Sequence, residues 1–213
     1  MGGNVAENAG GLRGLKYGVT RDCAMRLEFF DTGGEIVKTG SRTVKCATGY
    51  NLAGLVTGSE GTSGVFSGII LKLIPPPQSR KSMVAISDSM ADASETVAGI
   101  VAIRIIPATL EFMGNFTIRA VEDYTHAGDG NLHPTILTDR RDRTEWKRVK
   151  AAIEDIFHNA LKLGGPLSGE HGIGIAKSGF MEKETTAATI TCSRKIRKAL
   201  DPEGILNPGK IIG

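Results

Sequence analysis

The side chains best suited to chemistry sit in two glycine-bounded motifs. HAGDGNLHP places His126 and His133 at the two ends of one loop, and LSGEHGIG sets Glu170 beside His171 in another. Two imidazoles and one carboxylate are a sufficient set of protein ligands for a divalent ion that keeps an open coordination position. The chain has only 4 histidines, so finding three of them in these two motifs points to a site rather than to scattered structural residues. The fourth, His158, lies beside Asn159 in an amphipathic stretch and reads as part of a solvated face. Asp129 and Asn131 are expected to shape their loop rather than to react.

Glycine marks a second candidate region. GGNVAENAGGLRGLKYG gathers Gly2, Gly3, Gly10, Gly11, Gly14 and Gly18 in one short stretch, with Asn4 and Asn8 at turn positions. Backbone N–H groups in such a loop can face a diphosphate with no Cβ in the way. The stretch lacks the Lys-Ser/Thr pair of a P-loop and the spacing of a GxGxxG dinucleotide fingerprint. On the residues alone, a ligand loop and a turn-rich connection both remain open.

Bulk properties narrow the function classes. The chain has 213 residues, 40% hydrophobic and 23% charged, which is ordinary globular composition with length for one large or two small cores. Its 26 basic and 23 acidic side chains leave a net charge of +3 scattered along the sequence. No basic stripe tracks a phosphate backbone, so nucleic acid is not an expected partner. Cys23, Cys46 and Cys192 form no CxxC pair and leave one over, which suits free thiols in a reducing compartment. The opening residues have neither a basic nor an apolar leader region, and no apolar run approaches the roughly 20 residues of a membrane span. A cytoplasmic location follows as the expectation, at most peripheral to the inner face of a membrane.

The elements that must position these motifs can be traced by pattern. VTRDCAMRLEFF, the turn signal DTGGE and IVKTG predict a β-hairpin. GVFSGIILKL is a further β-rich run, ended by Pro75, Pro76 and Pro77, and a domain boundary is placed there, giving domains over 1–79 and 80–213. Ser or Asp as N-cap and apolar residues at Met90, Ala93, Val97 and Ile100 predict a helix. The stretch from Thr109 to Ile118 fits a strand with a turn at Gly114. DRTEWKRVKAAIEDIFHNALKLGG is the clearest helix, with Trp146, Val149, Ile153, Ile156, Phe157 and Leu161 on one face and Gly164 or Gly165 closing it. A last helix runs from about Thr186 to Leu200.

GGNVAENAGGLRGLKYGVTRD followed by TVKCATGYNLAGLVTGSEGTSGVFSGIILKL resembles the second half of the FAD-binding domain of the vanillyl-alcohol-oxidase and PCMH superfamily. There the GGN…GG loops and the GSEGT segment wrap the flavin and its diphosphate. The resemblance implies cofactor contacts from Gly2, Gly3, Asn4, Gly10, Gly11, Gly14, Tyr17, Gly18, Glu60, Gly61 and Gly64, with Ile69 toward the adenine end. For Glu60 a surface carboxylate in a turn is the plain alternative; its place between Ser59 and Gly61 in the matched motif favours the cofactor.

The histidine and glutamate motifs are similar to those of the C-terminal cap domain of FAD-linked oxidases of the glycolate oxidase D-subunit, D-lactate dehydrogenase and D-2-hydroxyglutarate dehydrogenase type. The likeness implies that His126, His133 and Glu170 hold a metal, zinc in many members, and that His171 is the base. Oxidation of a 2-hydroxy acid needs the hydroxyl proton removed while the α-hydrogen passes as hydride to flavin, and a cation lowers the hydroxyl pKa. The architecture implied is α+β: half of a PCMH-type FAD-binding domain, then a shortened ferredoxin-like cap. Partner subunits with a flavin domain or iron–sulfur centres belong to the same implication.

Departures from the pattern are specific. Cys23, Arg26, Cys46 and Ser63 stand where the family more often has aromatic, small, acidic and apolar residues, and Arg26 is expected to interrupt a half-buried strand. The family's flavin domain begins with a further glycine-rich subdomain ahead of the GGN motif. HAGDGNLHP belongs near the end of the cap, yet IIPATLEFMGNFTIRAVEDYTHAG, from the cap's start, runs directly into it. An in-frame deletion joining short repeats at Thr125-His126-Ala127-Gly128 accounts for this. LDPEGILNPGKII matches the family's usual C-terminus. Three readings stand: an FAD-dependent 2-hydroxy-acid dehydrogenase, a non-catalytic remnant or interaction fragment of one, and a flavin-independent metal hydrolase using His126, His133 and Glu170.

Overall fold

The structure is a computed structural model that describes residues 1–110, 138 and 141–212. The described residues form helices and sheet together, an α+β composition, and divide into two compact units: one of residues 1–11, 19–72 and 136–213, the other of residues 12–18 and 73–135.

The first unit is organised on a three-stranded antiparallel sheet in the order β2-β1-β3, where β1 is Ala24–Phe30, β2 is Ile36–Gly40 and β3 is Val65–Leu71. Alternation along β1 decides its faces. Leu27 and Phe29 are completely buried, whereas Arg26, Glu28 and Phe30 look the other way. Helix α1 (Gly2–Glu7) brings Val5 and helix α4 (Leu52–Val56) brings Ala53 and Val56 onto the buried pair, with Ala24, Val37, Phe66 and Ile69 packed around them. Phe29 and Phe66 meet edge to face at 6.1 Å, the arrangement their quadrupoles favour.

The hairpin predicted from DTGGE is present and is closed by one side chain. Asp31 Oδ1 accepts the N–H groups of Gly33 and Glu35, both at 2.9 Å, which is how aspartate starts a turn. The strand, however, opens at Ala24 and not at Val19. Thr20–Cys23 is instead a single helical turn, α3, because Asp22 Oδ2 takes the Val19 N–H at 2.8 Å and folds the segment back. Arg26 does not break the strand. The register of β1 against β3 shifts between Ala24 and Arg26, so the strand bulges there and carries Arg26 opposite Gly40.

Glycine also behaves differently from expectation at the N-terminus. Gly2, Gly3 and Asn4 lie in α1, which ends where Asn8 adopts the left-handed conformation at φ 51°. After β3 the chain passes through the three exposed prolines, as predicted.

In the second unit, a short helix α2 spans Gly14–Tyr17, and α5 (Met90–Ala102) begins at Ser89, whose side chain accepts the Asp92 N–H. The rest of the first unit is mainly helical. Helix α6 (Arg143–Lys162) is capped by Asp142, which accepts from Thr144 and Glu145. Val149 is its buried residue, Gly164 follows at φ +83°, and Ile156 is exposed. After a 3₁₀ turn at Ser178–Phe180 come α7 (Met181–Glu184) and α8 (Ala187–Leu200), the latter capped by Thr186. Among the described residues strands lie only between 24 and 71, and no helix is long and apolar enough to cross a membrane. Cys23, Cys46 and Cys192 are unpaired. The strand expected from Thr109 to Ile118 lies almost wholly outside the described residues, as do His126, Asp129, Asn131 and His133.

Gly40 and Gly34 share a left-handed backbone, at φ +81° and +80°, but differ in surroundings. A Cβ on Gly40 would lie 2.1 Å from the Met25 carbonyl oxygen, whereas one on Gly34 would meet nothing. Gly34→Ala should therefore cost about 1 to 2 kcal/mol for the dihedral alone, and Gly40→Ala about 1 to 3 kcal/mol more for the clash. Urea unfolding of the two variants measures the difference, and equal penalties would mean that the bulge does not hold Gly40 against Met25.

Candidate functional site

Three segments of the first unit converge on one turn. The first is the end of α1 with residues 7–11. The second is the loop 57–64, strapped to α1 by hydrogen bonds from Gly58 N to Val5 O (2.9 Å) and from Glu60 N to Ala6 O (2.8 Å). Arg21 ties the same pair together, its N–H donating to Asn8 Oδ1 at 2.9 Å and its Nη2 to Thr57 O at 3.0 Å. The third is 168–174, the LSGEHGIG turn.

Glu60 joins the second segment to the third. It is 6% exposed and takes a left-handed φ of 50°. Its carboxylate accepts the backbone N–H of Ile173 and, at 2.7 Å, that of Gly174, while its carbonyl accepts from Asn207 Nδ2. Gly172, at φ +72°, makes room: a Cβ there would lie 2.6 Å from Glu60 Oε1 and 2.7 Å from Glu7 Oε2. The carboxyl oxygens of Glu7 and Glu60 thus flank one glycine, and a Cβ on Gly10 would lie 3.1 Å from Glu170 Oε2. His171, between Glu170 and Gly172 in the chain, has a side chain that is 69% exposed, with Nε2 3.6 Å from Glu170 Oε1.

The turn is braced from behind. Lys177 Nζ, just beyond the segment, donates to Ser168 Oγ at its start at 2.8 Å. Burial lowers the Lys177 pKa, against the raising effect of Glu60. Gly174 O accepts from Ile211 N at 3.1 Å. The C-terminal segment that supplies Ile211 and Asn207 is held by Arg197, which donates to the carbonyls of Lys210 (2.7 Å) and Ile212 (3.1 Å), and by buried Asp201, which accepts from Ile205 and Leu206.

The sequence candidates divide accordingly. Gly2, Gly3, Asn4, Gly10, Gly11, Glu60, Gly61, Gly64, Ile69, Glu170 and His171 lie in the first unit; Gly14, Tyr17 and Gly18 contribute to the second. Gly10, Glu60, Glu170 and His171 are brought together. Some of the glycines are explained by the fold itself: Gly64 because a Cβ would lie 2.5 Å from the Phe29 ring, and Gly61 by its φ of +71°. Gly3 and Gly11 are not, since a Cβ on either would meet open space and neither has a left-handed φ. Ser59 Oγ, in the same GSEGT motif, is buried with no hydrogen-bond partner. A backbone left bare for no internal reason and an orphaned hydroxyl both fit a flavin nucleotide held outside the chain's own packing. No three His, Cys, Asp or Glu side chains gather as a metal site among the described residues. Glu7, Ser59, Lys177 and Asn207 were not singled out from sequence. Glu7, Ser59 and Asn207 lie inside matched motifs but carry no chemical signal of their own there, and Glu7 and Asn207 meet the site across long sequence distances.

The FAD linked oxidases, C-terminal domain family model matches residues 76–125 and again 123–211. The chain belongs to this family. Similar proteins are the glycolate oxidase subunit GlcD of Bacillus subtilis, 31% identical over 99% of this chain and 67% of its own length, and that of Escherichia coli K12, 28% identical over 100% and 64%. A D-lactate dehydrogenase of Anaerostipes hadrus is 26% identical over 99% and 68%. The chain thus spans about two thirds of the length of these relatives. The first alignment runs over 317 positions, although this chain has only 213 residues, so about a hundred positions of the relative face nothing here. The two family matches meet at 123–125, which locates that gap within the chain.

The carboxyl of Glu7 titrates above its ordinary value of 4.5, first through desolvation, then through Glu60, with Lys210 opposing. The folded chain therefore keeps a proton that the unfolded chain has released, and that contribution is full below the unfolded pKa and lost as pH rises through the folded one. Thermal melts taken upward from pH 4.5 should show a falling Tm that is flatter in Glu7→Gln. Identical slopes would detach Glu7 from the cluster.

Proposed function

We propose that this chain carries the proton-handling half of an FAD-dependent oxidoreductase that converts a small 2-hydroxy acid of the glycolate or D-lactate kind to its 2-oxo acid. The observation supporting it most directly is the convergence of the exposed His171 and Glu170 on the GGN…GG and GSEGT segments, in a chain whose relatives are named for those substrates. In the proposed step the substrate O–H and Cα–H bonds break as the carbonyl forms. The imidazole of His171 takes the hydroxyl proton, and the Glu170 carboxylate stabilises the resulting cation. Gly3, Gly11 and Ser59 Oγ would hold FAD, with Gly2, Asn4, Gly10, Gly14, Tyr17, Gly18, Gly61, Gly64 and Ile69 completing the contacts that the family likeness implies. The chemistry that FAD supplies when bound is acceptance of the Cα hydride.

Glu170 would offer one ligand to a divalent ion such as zinc, with His126 and His133 as the others. On this reading residues 1–79 are half of a PCMH-type domain and 80–213 a shortened ferredoxin-like cap, in a cytoplasmic enzyme with further subunits. A second reading, a non-catalytic remnant, is favoured by the internal gap and by the solvent-facing Met83, Val84, Ile86, Ile103 and Ile105 in the second unit, since surface of this kind is normally covered.

Purification with FAD followed by absorbance at the flavin bands and dye reduction with glycolate or D-lactate decides between them. The enzyme reading expects bound flavin, dye reduction, and a loss of about 10² to 10⁴ in rate for His171→Gln at constant flavin content. A colourless chain that reduces no dye favours the remnant. Long-read sequencing of the gene should return the joined frame at codons 123–128, and recovery of a frame longer by about a hundred codons would remove the deletion.

A further inference from the structure

Glu60 was expected from its motif to touch the cofactor, yet both its carboxylate oxygens are committed within the chain. They accept the consecutive backbone N–H groups of Ile173 and Gly174, more than a hundred residues away. Consecutive N–H groups point the same way only if the turn between them holds one conformation, and a carboxylate that accepts both enforces it. Every other polar group of Glu60 is also used: its N–H donates to Ala6 O and its carbonyl accepts from Asn207. With 6% of its surface exposed, the side chain has little room to exchange partners. His171 directly precedes the clamped stretch, and Gly172 between them fits only because it lacks a Cβ that would strike Glu60 Oε1.

We propose that Glu60 is a positioning residue that acts through the Gly172–Gly174 backbone to hold the His171 imidazole at its working orientation, and is not a contact of the cofactor. This rests on His171 being the base proposed above. Its effect should fall on the chemical step, because an imidazole displaced by about 1 Å costs up to a hundredfold in rate while substrate binding is spared.

The test compares the full-length chain with Glu60→Gln, which keeps size and one acceptor oxygen but turns an N–H₂ toward one of the two donors. In the unaltered chain, NMR hydrogen exchange should show the Ile173 and Gly174 amides protected. In the variant both should exchange faster and the His171 ring resonances should move, with kcat down about tenfold to a hundredfold and KM and flavin content within about twofold. Unprotected amides in the unaltered chain would overturn the proposal, even where the variant does not fold. So would a variant that loses flavin while the two amides and the His171 ring stay as they were. If the unaltered chain reduces no dye, the enzymatic reading fails, and the amide and ring signals still decide whether Glu60 sets the His171 turn.

Discussion

A carboxylate withdrawn from water is costly unless its lone pairs are met, and in this chain Glu60 is met by backbone alone. Two N–H groups of a distant turn complete it, and in return that turn has its own partly buried donors satisfied. The dependence runs both ways: the acceptor is stabilised by the donors and the turn that presents them is held by the acceptor. Around this pair the remaining contacts fall into order. The N-terminal helix fixes the Glu60 backbone from one side through Ala6, and the C-terminal segment fixes it from the other through Asn207. Arg197 and Asp201, which touch neither partner, matter because they hold that C-terminal segment in place.

The glycines separate two demands that a sequence cannot tell apart. Gly40, Gly64 and Gly172 are required by the fold, since a Cβ on any of them would collide with backbone, ring or carboxylate. Gly3 and Gly11 satisfy no such demand, and Gly3 inside α1 weakens a helix by about 1 kcal/mol relative to alanine. A residue that costs stability and relieves no crowding within the chain points outward, to something that must approach the backbone closely. The unsatisfied hydroxyl of Ser59 carries the same implication for the GSEGT loop.

Local patterns were the legible part of the sequence. Short apolar runs located β1 and β3, the DTGGE signal located the hairpin, a Ser or Asp N-cap located the start of α5, and apolar residues at helical spacing located α6. What escaped was whatever depends on pairing across the chain. Asp22 converts the expected start of the strand into a helical turn through one side-chain bond. The GGN stretch reads as a loop because of its glycines but forms helix α1, whose Val5 is drawn into the sheet's core. His171 and Glu170 could be proposed from their motif, whereas nothing local marks Glu7 or Asn207 as site residues: each joins the site only once segments far apart in sequence have met.

The internal gap bears on these two levels unequally. It falls at 123–125, while the residues that hold the His171 turn come from 6–60 and 168–211. No member of the clamp is adjacent to the junction, so the absence of about a hundred positions leaves the contacts between Glu60 and the His171 turn in place. The second unit fares differently. Its segment 73–135 runs into the junction and carries the exposed apolar residues between Met83 and Ile106, surface of a kind that is normally covered. The hydrogen bonds that set the His171 turn are ones the internal gap does not touch.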